Sequence, residues 1–140
     1  MTAVHGTAAW SGPAAVAAHY HPVATVITIS GEVDANNAAE VGACAQRLIG
    51  ADRTVVIDMT GVEFLAVDGL LQLLALKNVC RSASVNWMIV TSDAVNRLVV
   101  AARCQNEFAA VESVSEALAR FRHPSSQRPA LQIAASADWP

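Results

Sequence analysis

Hydrophobic and polar positions along this chain fall into short strand-like runs separated by longer helical ones. The clearest sequence of the two lies between Thr54 and Val79. Thr54, Val55, Val56 and Ile57 form a nearly continuous β-branched run, the pattern of a strand covered on both faces. Asp58 ends that run and Gly61 breaks the chain after it. Phe64 and Leu65 follow in the connection, where they are expected to anchor it to the core. From Gly69 onward Leu70, Leu71, Leu73, Leu74, Leu76 and Val79 define a leucine-rich helix, apolar enough to be mostly buried. Asp68 stands just before its first turn, where unpaired backbone N–H groups and the macrodipole favour negative charge, so it is expected to act as a helix cap.

The flanking regions repeat this alternation. Residues 1–13 lack periodicity and contain Gly6, Gly12 and Pro13, which predicts a loose tail. Ala14 to His21 reads as a weak strand, and Pro22 suggests an edge position. Thr25 to Ile29 alternates as a better strand and ends at Gly31. Asn36 or Asn37 can cap a helix to about Ile49, Asn37 with Glu40 having capping-box spacing, and Gly50 is expected at its C′ position. Val85 to Val90 predicts another buried strand. Ser92 and Asp93 open a helix to about Arg103, and Phe108 to Val111 supplies a last short strand. Ser113 and Glu116 form a capping box before a final helix that turns Val114, Ala117, Leu118 and Phe121 inward. Residues 123–140 are rich in Pro and Ser and read as a disordered tail. The order is β-β-α-β-α-β-α-β-α, one α/β domain over residues 14–122 with a mixed, mostly parallel sheet and about four helices.

Composition narrows the function. The chain has 140 residues, of which only 15% are charged against a usual ~25%, so most faces are covered or part of the surface meets a partner. The net charge is −3 and no Lys/Arg cluster is present to neutralise phosphates, which argues against nucleic-acid binding. Every apolar run is far short of the ~18 residues a membrane helix needs. The N-terminus lacks a basic leader, so a cytoplasmic location is expected. Cys44, Cys80 and Cys104 are widely spaced, each in a predicted helix, and read as free thiols.

Catalytic and cofactor signatures are missing. The phosphate-binding and dinucleotide glycine loops and the G-x-S-x-G elbow do not occur. His19 and His21 share one side of a strand, but no third ligand is spaced to join them, so exposed histidines are expected there and no metal or cofactor. Asp58, at the end of a central strand, invites comparison with a phosphorylated receiver. That chemistry needs an early acidic pair and a late lysine, whereas Lys77 is the only lysine of the chain. Asp58 is better read as satisfying nearby N–H groups. No grouping of nucleophile, base and orienting residue emerges, so the chain is not expected to be an enzyme.

Two segments carry a family resemblance. Gly31-Glu32-Val33-Asp34 leads into a helix, and about two dozen residues later comes VVIDMTGVEFLAVDGLLQLL. Together they resemble the STAS domain family, whose pattern is close to G-E-L-D followed by V-V-L-D-L-S-x-V-x-F-[IL]-D-S-[ST]-G-L. The resemblance runs from about Ala14 to Arg122. It implies a binding module of the anti-sigma factor antagonist kind, which docks an anti-sigma factor, often a serine kinase of the GHKL type, and so controls sigma factor availability and transcription. In such proteins phosphorylation of the last hydroxyl residue of D-S-[ST]-G breaks the complex. Here that segment reads Ala66-Val67-Asp68-Gly69, so Asp68 occupies the acceptor position and no hydroxyl lies at 66 or 67. A permanent carboxylate would partially mimic the phosphorylated form, with one charge in place of nearly two.

The resemblance places partner contacts at Asp34, Asn36, Glu63, Leu65, Val67, Asp68 and Gly69. With the hydroxyl gone, regulation falls to partner abundance, to Thr60, or to thiol chemistry at Cys44, Cys80 or Cys104. A homodimer is a further option. The alternative within the same family is a ligand-sensing or scaffold module of a transporter-associated or signalling assembly.

Overall fold

The computed structural model describes residues 6–50 and 54–123. Six strands form one sheet in strict sequence order: β1 (Gly6–Ser11), β2 (Ala14–Tyr20), β3 (Thr25–Val33), β4 (Val55–Leu65), β5 (Trp87–Val90) and β6 (Ala110–Val111). The first three are antiparallel neighbours, and β3 to β6 run parallel. Helices α1 (Ala38–Arg47), α2 (Val67–Ser82) and α3 (Asp93–Ala101) connect the parallel strands, and α4 (Val114–Arg122) follows β6.

Sequential parallel strands with right-handed crossovers place their connecting helices on one face of the sheet. The side chains agree. Val41 of α1, Leu73 of α2 and Val95 of α3 belong to one buried cluster with Ile27, Ile57 and Ile89. Those three isoleucines form a row in register across β3, β4 and β5, each fully buried. Burial of each stabilises the fold by roughly 1.5–3 kcal/mol. The adjacent row, Val26, Val56 and Met88, points the other way and packs under Ala117 and Phe121 of α4. The β-branched run at the start of β4 is therefore covered on both sides, as its composition requires.

Of the tail expected at residues 1–13, residues 1–5 lie outside the described residues, and the rest departs from it. Gly6 to Ser11 pairs antiparallel with β2, from Gly6 opposite His19 to Ser11 opposite Ala14. Gly12 and Pro13, which suggested a loose segment, are the two residues of the hairpin turn. Gly12 takes φ 62, the left-handed conformation that a tight hairpin demands of its first central residue. Consequently β2 is not an edge strand, and the sheet carries two antiparallel pairs. The tail expected at residues 123–140 lies outside the described residues beyond His123.

Strand β4 is also longer than its β-branched run. It continues through Gly61 to Leu65 because two extra residues are absorbed as bulges against β3. Thr28 pairs with Asp58 but Ser30 with Gly61, and Gly31 pairs with Val62 but Glu32 with Phe64. Each bulge sets two consecutive residues on the outer side. Met59, Val62 and Leu65 consequently all face the core, while Thr60, Gly61, Glu63 and Phe64 are exposed.

The helix ends sort into those capped as expected and those not. Ser113 accepts from the Glu116 N–H at 3.0 Å, and the Glu116 carboxylate accepts from the Glu112 N–H at 2.8 Å. Ser92 accepts from the Val95 N–H at 3.2 Å. Asn37, by contrast, makes no side-chain cap bond to α1. Its Oδ1 accepts from the Asp34 N–H at 2.8 Å, so it closes the preceding loop instead. Helix α1 ends at Arg47 with Leu48 as its C-cap, two residues before Gly50, so Gly50 is not its C′ glycine.

Candidate functional site

The parallel strands all finish at one end of the sheet, and α1 to α4 begin there. The expected contact residues collect at this end, in the β3–α1 loop and where β4 passes into α2. Asp34 opens the loop: its Oδ1 accepts from the Asn36 N–H at 2.9 Å and from the Asn37 N–H at 3.1 Å. Asn37 is buried and donates from Nδ2 to the Glu32 carbonyl at 3.0 Å, so the loop is held from both sides. Asn36 is left exposed at its tip.

Between β4 and α2 the expected residues divide. Glu63, Val67 and Asp68 are exposed, Val67 at 59%. Leu65 and Gly69 are buried: Leu65 faces the core, and a Cβ on Gly69 would lie 2.4 Å from the Leu65 Cδ1. These two shape the turn from below and offer a partner no surface. Asp68 is not the residue that caps α2. Ala66 holds that position without a side-chain cap bond, and Asp68 follows as the second helical residue. Its carboxylate is exposed and makes no hydrogen bond or ion pair among the described residues, so it acts on the helix only through the macrodipole.

Two apolar residues that the sequence placed in the core belong to this surface. Phe64 is 51% exposed and Leu71 is 58% exposed. The two bulges cancel in phase, so alternation counted from Ile57 and Met59 turns Phe64 outward and Leu65 inward, and its apolar character alone pointed to the core. Leu71 left a trace: leucines at 70, 71, 73 and 74 circle more of α2 than one buried stripe needs. Phe64, Val67 and Leu71 thus add a hydrophobic component to an otherwise acidic end of the molecule.

The remaining candidates lie elsewhere. Asp58 sits within β4 and accepts at one oxygen from both the Thr60 N–H, at 3.0 Å, and the Thr60 hydroxyl, at 2.7 Å. It therefore satisfies local N–H and O–H groups, and Thr60 is engaged by it. Cys44, Cys80 and Cys104 are free thiols, none bonded to another. Cys80 is buried, which pushes its pKa up to about 11 and suppresses the reactive thiolate. Cys44 and Cys104 are half-buried. Cys44 lines a cleft of about 360 Å³ between β1 and α1, beside Trp10 and Arg47. His19 and His21 stand at the opposite end of the sheet, around the β2–β3 connection, and no group of metal-ligating side chains occurs among the described residues.

The comparisons with known proteins agree with this architecture. The chain is 34% identical over 84 residues to Osmosensory protein A of Mycobacterium tuberculosis, a stretch covering 60% of this chain and 53% of that protein. It therefore spans about half the length of that curated relative. In three dimensions it resembles the crystal structure of an anti-sigma factor antagonist from Mycobacterium paratuberculosis, with TM-score 0.68 and 22% identity over 81% of this chain and 99% of the other. It also resembles part of the structure of SLC26A9, with TM-score 0.56 and 14% identity, covering 79% of this chain and 21% of that one. At those identities the likeness is one of fold. No helix among the described residues is long and apolar enough to cross a membrane. The profile of the STAS domain matches residues 15–117 of the 140, across the same strands and helices, and the chain belongs to the STAS domain family.

Proposed function

We propose that this protein is a non-catalytic, cytoplasmic regulator of the anti-sigma factor antagonist type. It docks an anti-sigma factor, of the GHKL serine-kinase class, through the end of the sheet built by Asn36, Glu63, Phe64, Val67, Asp68 and Leu71. The observation that carries the reading is the exposed Asp68 carboxylate, which no side chain or backbone group among the described residues engages, at the position where the family pattern has its phosphorylated hydroxyl. Residues 66–68 contain no hydroxyl, so a kinase has nothing to phosphorylate there and the interaction is set by partner concentration.

The test is a binding assay against the anti-sigma factors of the source organism with wild type, Asp68→Ser and Asp68→Ala. Binding of at least one anti-sigma factor, and phosphorylation of Asp68→Ser alone by a cognate kinase with ATP, supports the reading. Failure of the whole panel to bind any of the three proteins refutes it. A second reading, a scaffold or ligand-sensing module in a larger assembly, draws on the likeness to SLC26A9 and to about half of Osmosensory protein A. Co-purification with a transporter or scaffold in place of an anti-sigma factor would favour it.

A further inference from the structure

The parallel topology sorts charge as well as helix ends. The first turn of each of the four helices contains an acid, namely Glu40, Asp68, Asp93 and Glu116, and none of the first four residues of these helices is basic. Glu32 and Glu63 add two exposed carboxylates at the same end of β3 and β4. Basic residues stand in the last turns of α1, α2 and α4: Arg47, Arg81, Arg120 and Arg122. Among the described residues the acid at the far end is Glu107, which Lys77 neutralises, and Glu116 and Arg120 pair with each other along α4, so neither adds to the separation. Among the described residues the remaining charge is thus polarised along the strands.

Phe64, Val67 and Leu71 are exposed at the acidic end. A surface both apolar and acidic repels phosphate backbones and anionic membrane surfaces, and its counterpart must match both properties. Building on the functional reading above, we propose that the partner presents an amphipathic helix, whose apolar face packs on Phe64, Val67 and Leu71 while the lysine and arginine flanking that face meet Glu63 and Asp68. The carboxylate at Asp68 then favours docking in this protein. The molecular dipole orients the acidic end toward the partner before contact, so the association rate falls steeply with salt.

The test uses the full chain and a defined probe, an amphipathic helical peptide of leucine and lysine, with its leucine–glutamate twin as control. Amide resonances are followed by two-dimensional NMR during titration. The leucine–lysine peptide is expected to shift residues of the acidic end, and raising NaCl from about 50 to about 500 mM weakens it roughly tenfold or more. The double charge reversal E63K/D68K abolishes binding, the neutral pair E63Q/D68N weakens it, and R47E/R81E at the far end leaves it intact. Equal binding of the two peptides, shifts centred on Arg47 and Arg81, indifference to E63Q/D68N, or no binding at all overturns the inference. The outcome is separable from the functional reading. An anti-sigma factor that binds with salt-independent kinetics leaves that reading standing and removes this one, whereas a peptide result as expected stands without any sigma circuit.

Discussion

Gly31 ties the amino-terminal hairpin to the loop that bears Asp34 and Asn36, and replacing it with alanine isolates one contact. Gly31 has φ 90, and an added Cβ would lie 2.2 Å from the Pro13 carbonyl oxygen. That oxygen belongs to the backbone of the hairpin turn and accepts from the Glu32 N–H, so it cannot rotate away. Gly12 supplies the control. It also has positive φ, 62, but its Cβ would meet nothing nearer than the Asn37 Nδ2 at 3.9 Å. Both variants carry the left-handed penalty of ~1–2 kcal/mol, partly offset by a gain of ~0.4–1 kcal/mol from a less flexible unfolded chain. Gly31→Ala alone adds the steric overlap, ~1–3 kcal/mol for atoms forced into a filled site. Gly12→Ala is then expected to lose about 1 kcal/mol or less, and Gly31→Ala about 3 kcal/mol, roughly 10 °C in Tm for a domain of this size. Urea unfolding followed by circular dichroism gives both values from the midpoints at constant slope. Equal losses for the two variants, within ~0.5 kcal/mol, would show that the Pro13 contact costs nothing and that the hairpin is not held as described.

Three other expectations are simpler. Ser113→Ala removes a cap bond seen at 3.0 Å and should cost about 1 kcal/mol by urea unfolding, more than Asp68→Ala, which removes only an exposed charge near a helix end, ~0.3–1 kcal/mol. A larger loss at Asp68 would contradict the absence of a cap bond there. Glu116 has its pKa lowered, first by the Glu112 N–H and then by Arg120. Its contribution is therefore present above the ordinary glutamate pKa and is lost as pH falls through the lowered folded value, so Glu116→Gln should flatten part of the acid-unfolding curve below about pH 4.5. A curve parallel to wild type would refute the assignment. Thiol titration of the native protein near pH 8 should label Cys44 and Cys104 while Cys80, whose pKa is about 11, reacts only on unfolding. Rapid labelling of all three would disprove its burial.

What could be read from residues alone followed from strong local signals. The β-branched start of β4, the capping box at Ser113 and Glu116, and the inward set Ala117 and Phe121 all appear where the pattern placed them. The family motifs at Gly31–Asp34 and Val55–Leu70 fall on two segments that meet at one end of the sheet, where the proposed docking surface lies. What escaped depended on pairing between distant parts of the chain. Gly6–Ser11 has no hydrophobic alternation of its own and becomes a strand because β2 offers it an edge. Phe64 and Leu65 read alike as core residues of a connection, yet pairing with β3 extends β4 through both, so they face opposite sides and only Leu65 is buried. Asn37 had capping-box spacing, but bonding to Asp34 across the loop won over bonding to its own helix. Asp68 lies two residues too far into α2 to cap it, a displacement the spacing of apolar residues does not resolve.

The irregular ladder between β3 and β4 also bears on how such a surface changes. Because Glu63 is a surplus residue, removing it would return the stretch from Val62 to Leu65 to plain two-residue alternation, with both still turned toward the helices. The edit erases one carboxylate and leaves the hydrophobic interior in register. Deleting that one residue is therefore a gentler route to a new binding specificity than replacing any of the leucines beneath it.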